Sequence, residues 1–536
     1  MASLATPAAP CLLRPTRCGP AGMPTTSDVA LETVMTAGPW DQPALLPVRS
    51  RRERGADPAT GRVSGATDTI DALGVADAAI PPAARIVRRA ARRSYDVADL
   101  AMGAADVLRS NDIGTMVTAA PALYPHMWSW DAAFISIGLA HLGVERAGQE
   151  IRTLLAAQWA DGMIPHIVYG DRGGYFPGPG RWGTAELSAS APQAPLTSGI
   201  CQPPVHAIAV GRILDVARRG TDADRAAGEQ LVRDSWAALY RWHAWLAQYR
   251  DPDGTGLIAV VHGWESGMDN SPRWDGPYSA VIPGPDLPSY VRLDRELVRD
   301  GAERPTDLEY DRYLWLIEEM RRASYDPVKV YETCSFLVAD VFVSAIFAVA
   351  SDVLADLGDE FGAPAEHVAD LRRWAARSRA AVAASRSPET GLARDYDRRA
   401  GAWIDVETLA GFAPLICGGL DADAERALIE TLHGPHWAGH PDLVAKVPPT
   451  VSPDSVGFKS REYWRGPQWP VVSWLFGWAH ARHGHTAQAE ALRAETLSLV
   501  GDGAFSEYYE PVTGEALGSR RQSWTAAVIL DWCTAR

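Results

Sequence analysis

Apolar residues along most of this chain return every three to four positions, the spacing that stacks them on one face of an α-helix. In "DSWAALYRWHAWLAQY", residues Trp236, Leu239, Tyr240, Trp242 and Leu246 share such a face. Helical segments are predicted at 96–111, 130–143, 145–160, 204–218, 222–249, 306–322, 335–358, 364–385, 405–417, 422–432, 466–483, 486–499 and 521–535. Convincing two-residue alternation is almost absent, so the predicted fold class is all-α. Helices at this spacing, joined in pairs, suggest six hairpins closed into an (α/α)6 toroid, although periodicity equally allows an open solenoid.

Two connections stand out by length, 162–203 and 251–305, and both mix Trp, Tyr, Gly, Pro and acidic residues. That composition suits the rim of a cleft. Residues 1–85 differ from the rest, being rich in Pro, Ala, Thr and Gly, with a basic cluster at Arg49, Arg51, Arg52 and Arg54. Such a segment buries too little apolar surface to offset its ordering entropy, so a disordered extension is expected there and one catalytic domain over 86–536.

Composition narrows the function classes. A net charge of −15 argues against a nucleic-acid partner, which needs clustered Lys and Arg. The 20 Trp outnumber the 16 Tyr and the 10 Phe, and flat indole faces suit sugar rings. Six scattered cysteines without CxxC spacing read as reduced thiols of a cytoplasmic protein. Pro7, Pro10, Pro15 and Pro20 interrupt any secretory apolar run, and no membrane-length apolar stretch is expected. The partner implied is a small molecule rather than a nucleic acid or a membrane; a homo-oligomer stays open.

Four clusters could carry chemistry. "HGWESGMDNSPRWD" gathers Glu265, Asp269 and Asp275 between Trp264 and Trp274, where an aromatic wall can raise a carboxylic acid's pKa for proton donation; an Asx-turn at 269–272 is the plainer alternative. "FSEYYEPVTGE" offers Glu507, Glu510 and Glu515, which could also be solvated turn residues. "YPHMWSWDAAF" puts Trp128, Trp130 and Asp131 at a helix entrance, where Asp131 could simply cap. "SREYWRGPQWP" brings Tyr463, Trp464, Arg465, Gln468 and Trp469 to another entrance, or else into the core. In a toroid, loops before the inner helices gather at one end, so all four clusters can face one pocket. Two carboxylates across a cleft would supply an acid for the leaving oxygen and a base for water.

The ordered motifs "NDIGTMVTAAPALYPHMWSWDAAFISIGLA", "QWADGMIPHIVY", "QPPVHA", "WESGMDNSPRWD", "SREYWRGPQWP" and "FSEYYEPVTGE", followed by "RRQSWTAAVIL", resemble glycoside hydrolase family 63. They are most similar to its bacterial branch, the glucosylglycerate and mannosylglycerate hydrolases. The resemblance runs from about residue 100 onward. It implies the (α/α)6 fold, inversion at the anomeric carbon without metal or cofactor, Asp269 as general acid and Glu507 as general base. It further implies a sugar pocket of Tyr124, Trp128, Asp131, Gln202, Trp469 and Gln522, with Trp264 in the motif that carries the acid. Tyr463 and Trp464 match the family's Tyr-Trp pair for a small acidic aglycone, with Tyr175, Arg304 and Tyr310 as loop contributors. A glycerate anion would take a bidentate contact from Arg304 that a neutral aglycone cannot use.

Other readings remain. A neutral disaccharide or oligosaccharide would suit another α-glucosidase of the same family, a non-catalytic sugar-binding toroid would bind without turnover, and an (α/α)6 lyase or epimerase would use Tyr or His as base. "GPGRWG" at 178–183 fits GxGxxG but follows no strand, "DPDGTG" at 251–256 lacks the glutamate of a calcium loop, and His433, His436 and His440 are interrupted by Gly and Pro.

Overall fold

Among the residues described by the computed structural model, 95–534 apart from 297 and 299, twelve helices build a ring. They are α1 (Val97–Asn111), α2 (Ser129–Ala140), α3 (Val144–Ala156), α4 (His206–Arg219), α5 (Asp222–Tyr249), α6 (Val341–Phe361), α7 (Ala365–Ala384), α8 (Pro414–Cys417), α9 (Ala422–His433), α10 (Pro470–Arg482), α11 (Thr486–Leu499) and α12 (Ser523–Thr534). The expectation for residues 1–85 lies outside the described residues. Short side chains start many of these helices. Asp96 accepts from the backbone N–H groups of Ala98 and Asp99, Thr221 and Asp224 form a reciprocal capping box, and Asp421 accepts from Asp423 and Ala424.

The even-numbered helices form the inner ring: α2 packs on α4, α4 on α6, α6 on α8, α8 on α10, α10 on α12, and α12 returns to α2. Each leans on an outer partner, and the partner of α12 is α1, so the two ends of the described chain complete the circle. This is the (α/α)6 toroid. Inner helices meet neighbours on all sides, which is why every residue of α2 is buried, whereas α5 buries chiefly the stripe that holds Leu231, Trp236, Leu239, Trp242 and Leu246. At Gly138 a Cβ would lie 2.4 Å from the Ala527 Cα, so only glycine lets α2 and α12 approach this closely.

Asp531 on α12 rivets the ring. Its carboxylate meets His141 Nε2 at 2.8 Å, just past the end of α2, Arg212 of α4 at 2.9 Å, and the indole N–H of Trp474 on α10 at 3.0 Å. Burial opposes its charge, but His141 and Arg212 together hold the carboxyl below its ordinary pKa. Asp531→Ala strands a buried guanidinium and is expected to cost about 3–5 kcal/mol, read as a lower urea midpoint with an unchanged slope.

The structure departs from the sequence reading in three places. The helix expected from 335 starts at 341, because Val338–Ala339 form a strand and Asp340 caps α6 through Phe342 and Val343. The helix expected at 405–417 is a 3-10 turn (Leu409–Phe412) followed by the one-turn α8, closed by Pro414 ahead and Gly418 at φ 72 behind. Short strands were not expected, yet Ala259–Val260, Val338–Ala339, Asp395–Asp397 and Ala402–Ile404 pair antiparallel in that order, with Ala259 opposite Ala339 and Tyr396 opposite Trp403. The helix α6 is long and apolar enough by composition to cross a membrane, but Asp352 and Asp356 interrupt its apolar run and most of it is buried inside the protein as an inner ring helix. The helix Asp307–Arg322 matches its prediction and lies in the long insertion between α5 and α6.

Candidate active site

The loops that enter the inner helices converge on an open-mouthed pocket of about 280 Å³. One wall comes from the entrance to α2. Met127 and Trp128 pair with Val168 and Ile167, and this short ladder fixes Trp128 and Tyr124, whose rings meet edge to face at 5.1 Å. Asp131, in the first turn of α2, lines the pocket rather than capping the helix. Burial raises its pKa well above the carboxylate range, and the charges of Glu507 and Asp269 add to that rise.

Glu507 sits before a hairpin in which Tyr508 and Tyr509 pair with Leu517 and Ala516. Its backbone N–H donates to the Ser519 carbonyl at 2.8 Å, and the Ser519 N–H returns a bond to Oε2 at 2.9 Å. Oε1 accepts from the Tyr124 hydroxyl at 2.9 Å and from Tyr463 at 3.3 Å. Gly518 has φ 66, and a Cβ there would lie 2.6 Å from Oε2, so the turn that aims this carboxylate requires glycine.

Asp269 lies between two 3-10 turns, Gly263–Ser266 and Pro272–Trp274. Its loop is tied down on both sides: the Trp274 indole donates to the Met268 carbonyl, the Trp464 N–H to Asn270 Oδ1, and Arg465 to the Asn270 carbonyl. Arg273 anchors the loop from below, donating to Asp395 at 2.9 Å and to Asp340 at 3.4 Å. Burial pushes the Asp269 carboxyl up to about 7, against the pull of Arg304 and with the help of Glu507. About half of the molecules therefore carry the Asp269 proton at neutral pH.

Arg304 is the buried cation of this pocket, which the exposed Arg172 also lines. One Nη2 bond goes to the Tyr124 hydroxyl at 2.9 Å, and the guanidinium lies over the Tyr463 ring at 4.3 Å. Nε is 3.7 Å from Asp294, whose own oxygens are engaged by Arg292 at 2.7 Å. Nε and Nη1 of Arg304 are buried and make no hydrogen bond within the protein.

Tyr124, Trp128, Asp131, Tyr175, Gln202 and Trp264 line the pocket, as do Tyr310, Tyr463, Trp464 and Gln522 with Asp269, Glu507 and Arg304. Gln202 and Gln522 have their carbonyl oxygens tied back, to the Trp130 N–H and the Ser519 hydroxyl. Both amides therefore present N–H groups to the cavity. Trp469 is placed differently: it stacks behind Trp464 at 3.6 Å, stiffening the wall without forming it. Asp294, Tyr313, His166 and Trp524 also line the pocket without having been singled out in the sequence. The last two fall within quoted motifs; Asp294 and Tyr313 carry no local signal. Burial lowers His166 to about 3, so it enters the wall as a neutral ring.

The remaining acids of the two clusters are structural. Glu265 is buried against Arg250 at 2.6 Å and accepts from Val261 and Cys201. Asp275 pairs with Arg465, Glu515 with Arg461, and Glu510 closes a turn through Val512 and Thr513. "DPDGTG" is a turn held by Asp251. "GPGRWG" holds the single-turn helix Pro179–Trp182. His436 and His440 both reach Asp454, while His433 turns toward His480. Among the described residues no group of three or more His, Cys, Asp or Glu side chains is arranged to hold a metal.

A carboxyl raised to about 7, a carboxylate braced by two tyrosines, and a buried guanidinium thus share one aromatic pocket. The family model of the mannosylglycerate hydrolase MGH1-like glycoside hydrolase domain matches residues 124–525. The chain belongs to this family. Its MGH1-like domain spans all the pocket residues named above. A glucosylglycerate hydrolase of Mycolicibacterium hassiacum is 56% identical over 440 residues, covering 82% of this chain and 98% of that protein. A mannosylglycerate hydrolase of Thermus thermophilus is 38% identical over 433 residues, covering 80% and 100%. The crystal structure of a GH63 mannosylglycerate hydrolase from Thermus thermophilus, in complex with Tris and D-glycerate, matches at a TM-score of 0.73 and 37% identity, covering 81% of this chain and 99% of that one. As an MGH1-like protein the chain is a glycoside hydrolase of family 63.

Proposed function

We propose that this enzyme hydrolyses the α-glycosidic bond of glucosylglycerate, releasing glucose and glycerate with inversion. The observation that carries the reading is Arg304, a buried cation that lines the same pocket as Asp269 and Glu507. A cavity of about 280 Å³ lies at the small end of ligand pockets, which suits one hexose and a three-carbon acid. The identity of 56% to a glucosylglycerate hydrolase favours glucose. Mannosylglycerate is the second reading, supported by the relatives at 38–39% identity.

In this mechanism the Asp269 carboxylic acid gives its proton to the bridging oxygen as the bond to the anomeric carbon breaks. Water adds to that carbon from the opposite face while Glu507 removes its proton. Tyr124 and Tyr463 hold the Glu507 carboxylate in place through Oε1. Asp131, Gln202 and Gln522 bind sugar hydroxyls, Trp128, Trp264 and Trp464 wall the ring, and Tyr175, Arg304 and Tyr310 hold glycerate. After turnover both carboxyl groups exchange protons with solvent. A cytoplasmic setting is supported by Cys201, Cys334, Cys417 and Cys533, all free thiols.

The enzyme is expected to release glyceric acid from glucosylglycerate faster than from mannosylglycerate, and to leave trehalose intact. Proton NMR within the first minutes should show β-glucose. Initial α-glucose would overturn inversion, and faster mannose release would move the substrate to the second reading.

A further inference from the structure

Arg304 touches more than the aglycone end of the pocket. Its Nη2 donates to the Tyr124 hydroxyl, and that hydroxyl donates to Oε1 of Glu507, each at 2.9 Å. Tyr463 makes a second link, carrying the guanidinium on its ring and donating to the same Oε1 at 3.3 Å. A guanidinium at one end of such a chain polarises each hydroxyl toward the carboxylate and strengthens bonds that compete with proton uptake from water. Arg304 also draws Asp269 toward ionisation. With no anion bound, therefore, the cation opposes both members of the catalytic pair.

The surrounding charges do not cancel it. Asp294 is spent on Arg292, and it stands 3.7 Å from Arg304. Asp131 faces the pair from α2, and burial favours its neutral form. Glu507 itself and Asp269 are the other acids in the cavity, and the exposed Arg172 adds a second positive charge to its lining. A carboxylate bound in the pocket beside Arg304 would neutralise the guanidinium while the hydroxyl bonds to Oε1 stay in place.

Resting on the glucosylglycerate reading, we propose that the substrate's own carboxylate activates the enzyme: by neutralising Arg304 it frees Glu507 and Asp269 for proton transfer, and Tyr124 is the positioning residue that couples the aglycone site to the base. Charge on the aglycone then raises kcat as well as lowering KM. A group that only anchored the aglycone would act on binding alone.

The test compares glucosylglycerate with its neutral analogue, in which a hydroxymethyl group replaces the carboxylate, on wild type and Tyr124→Phe. On wild type, kcat should be about tenfold or more higher for the acid, and the alkaline limb of kcat should lie about one pH unit above that of the neutral analogue. In Tyr124→Phe the kcat ratio of the two substrates should fall several-fold while the KM ratio persists, because Arg304 still binds the acid. Equal kcat values and coincident alkaline limbs on wild type, with only KM different, would overturn the proposal without any variant. An undiminished kcat ratio in Tyr124→Phe would remove Tyr124 from it. Absence of turnover with both substrates would instead sink the hydrolase reading beneath it.

Discussion

An Asp269→Asn enzyme is expected to fold and to lose about 10²–10⁴-fold in kcat on its natural substrate. Asparagine keeps the shape of the loop, which is held by Met268, Asn270, Trp274 and Arg273 rather than by the Asp269 carboxyl, but it has no proton to give to the bridging oxygen. The wild-type profile of kcat/KM should fall tenfold per unit above pH about 7, as Asp269 ionises in the free enzyme. Stability should also fall with rising pH, over a lower window. The folded carboxyl holds its proton up to about 7, whereas the unfolded chain loses it near the ordinary carboxylate value, so wild type loses stability as pH rises through that window. Asn removes this cost, and the variant should melt higher than wild type at pH 8 with a much smaller difference at pH 4. A variant with wild-type turnover would remove Asp269 as the acid; one that melts lower at pH 8 would remove the burial argument.

Glu507→Ala is expected to lose a similar about 10²–10⁴-fold, for a different reason. Protonation of the leaving oxygen survives, but water is no longer deprotonated as it attacks. The deletion also opens space beside Tyr124, Tyr463 and Ser519. Azide, which needs no deprotonation, should enter there and restore sugar release as the β-glycosyl azide, identified by NMR. Because the Glu507 charge helps keep Asp269 protonated, the alkaline limb of the residual activity should move to lower pH. An α-azide would mean attack from the other face. Failure of any anion to rescue, with an unmoved alkaline limb, would separate Glu507 from both roles.

The helices were legible because outer members such as α5 carry a single apolar stripe, and because Asp96, Thr221 and Asp421 mark their starts. The inner members betray themselves differently. "SWDAAFISIGLA" is apolar nearly all round, which fits a helix enclosed by others but gives no period to measure. The same trait hid the end of the pattern at 405–417, where Gly411, Pro414 and Gly418 break an apolar run into a 3-10 turn and a single helical turn. Strands of two or three residues are too short to alternate.

In the pocket, composition put Glu265 on a par with Asp269, and Glu510 with Glu507. What separates them is tertiary: Glu265 meets Arg250 across the fold and Glu510 folds back on its own turn, whereas Asp269 and Glu507 face the cavity. The ordered motifs supplied that distinction from the family resemblance before any contact was seen. Trp469 shows the limit of a motif, since its indole shares one stack with that of Trp464 and only Trp464 reaches the cavity. Asp294 illustrates the opposite case, a charge whose significance comes entirely from Arg292 and Arg304 beside it.

Because α1 completes the circle only against α12, synthesis of this enzyme has an enforced waiting time. A ribosome adding about 5–20 residues per second needs roughly 20–90 s to pass from the first of these helices to the last. Through that interval the apolar face of α1, with Asn111 that will bond to Arg521 and Ser523, lacks its destination. Asp269 emerges midway, while Glu507 and Gln522 arrive with the closing segment. Products that stop before Gln522 lack part of the pocket, and hydrolytic competence should appear in one step when α12 leaves the exit tunnel and docks between α1 and α2.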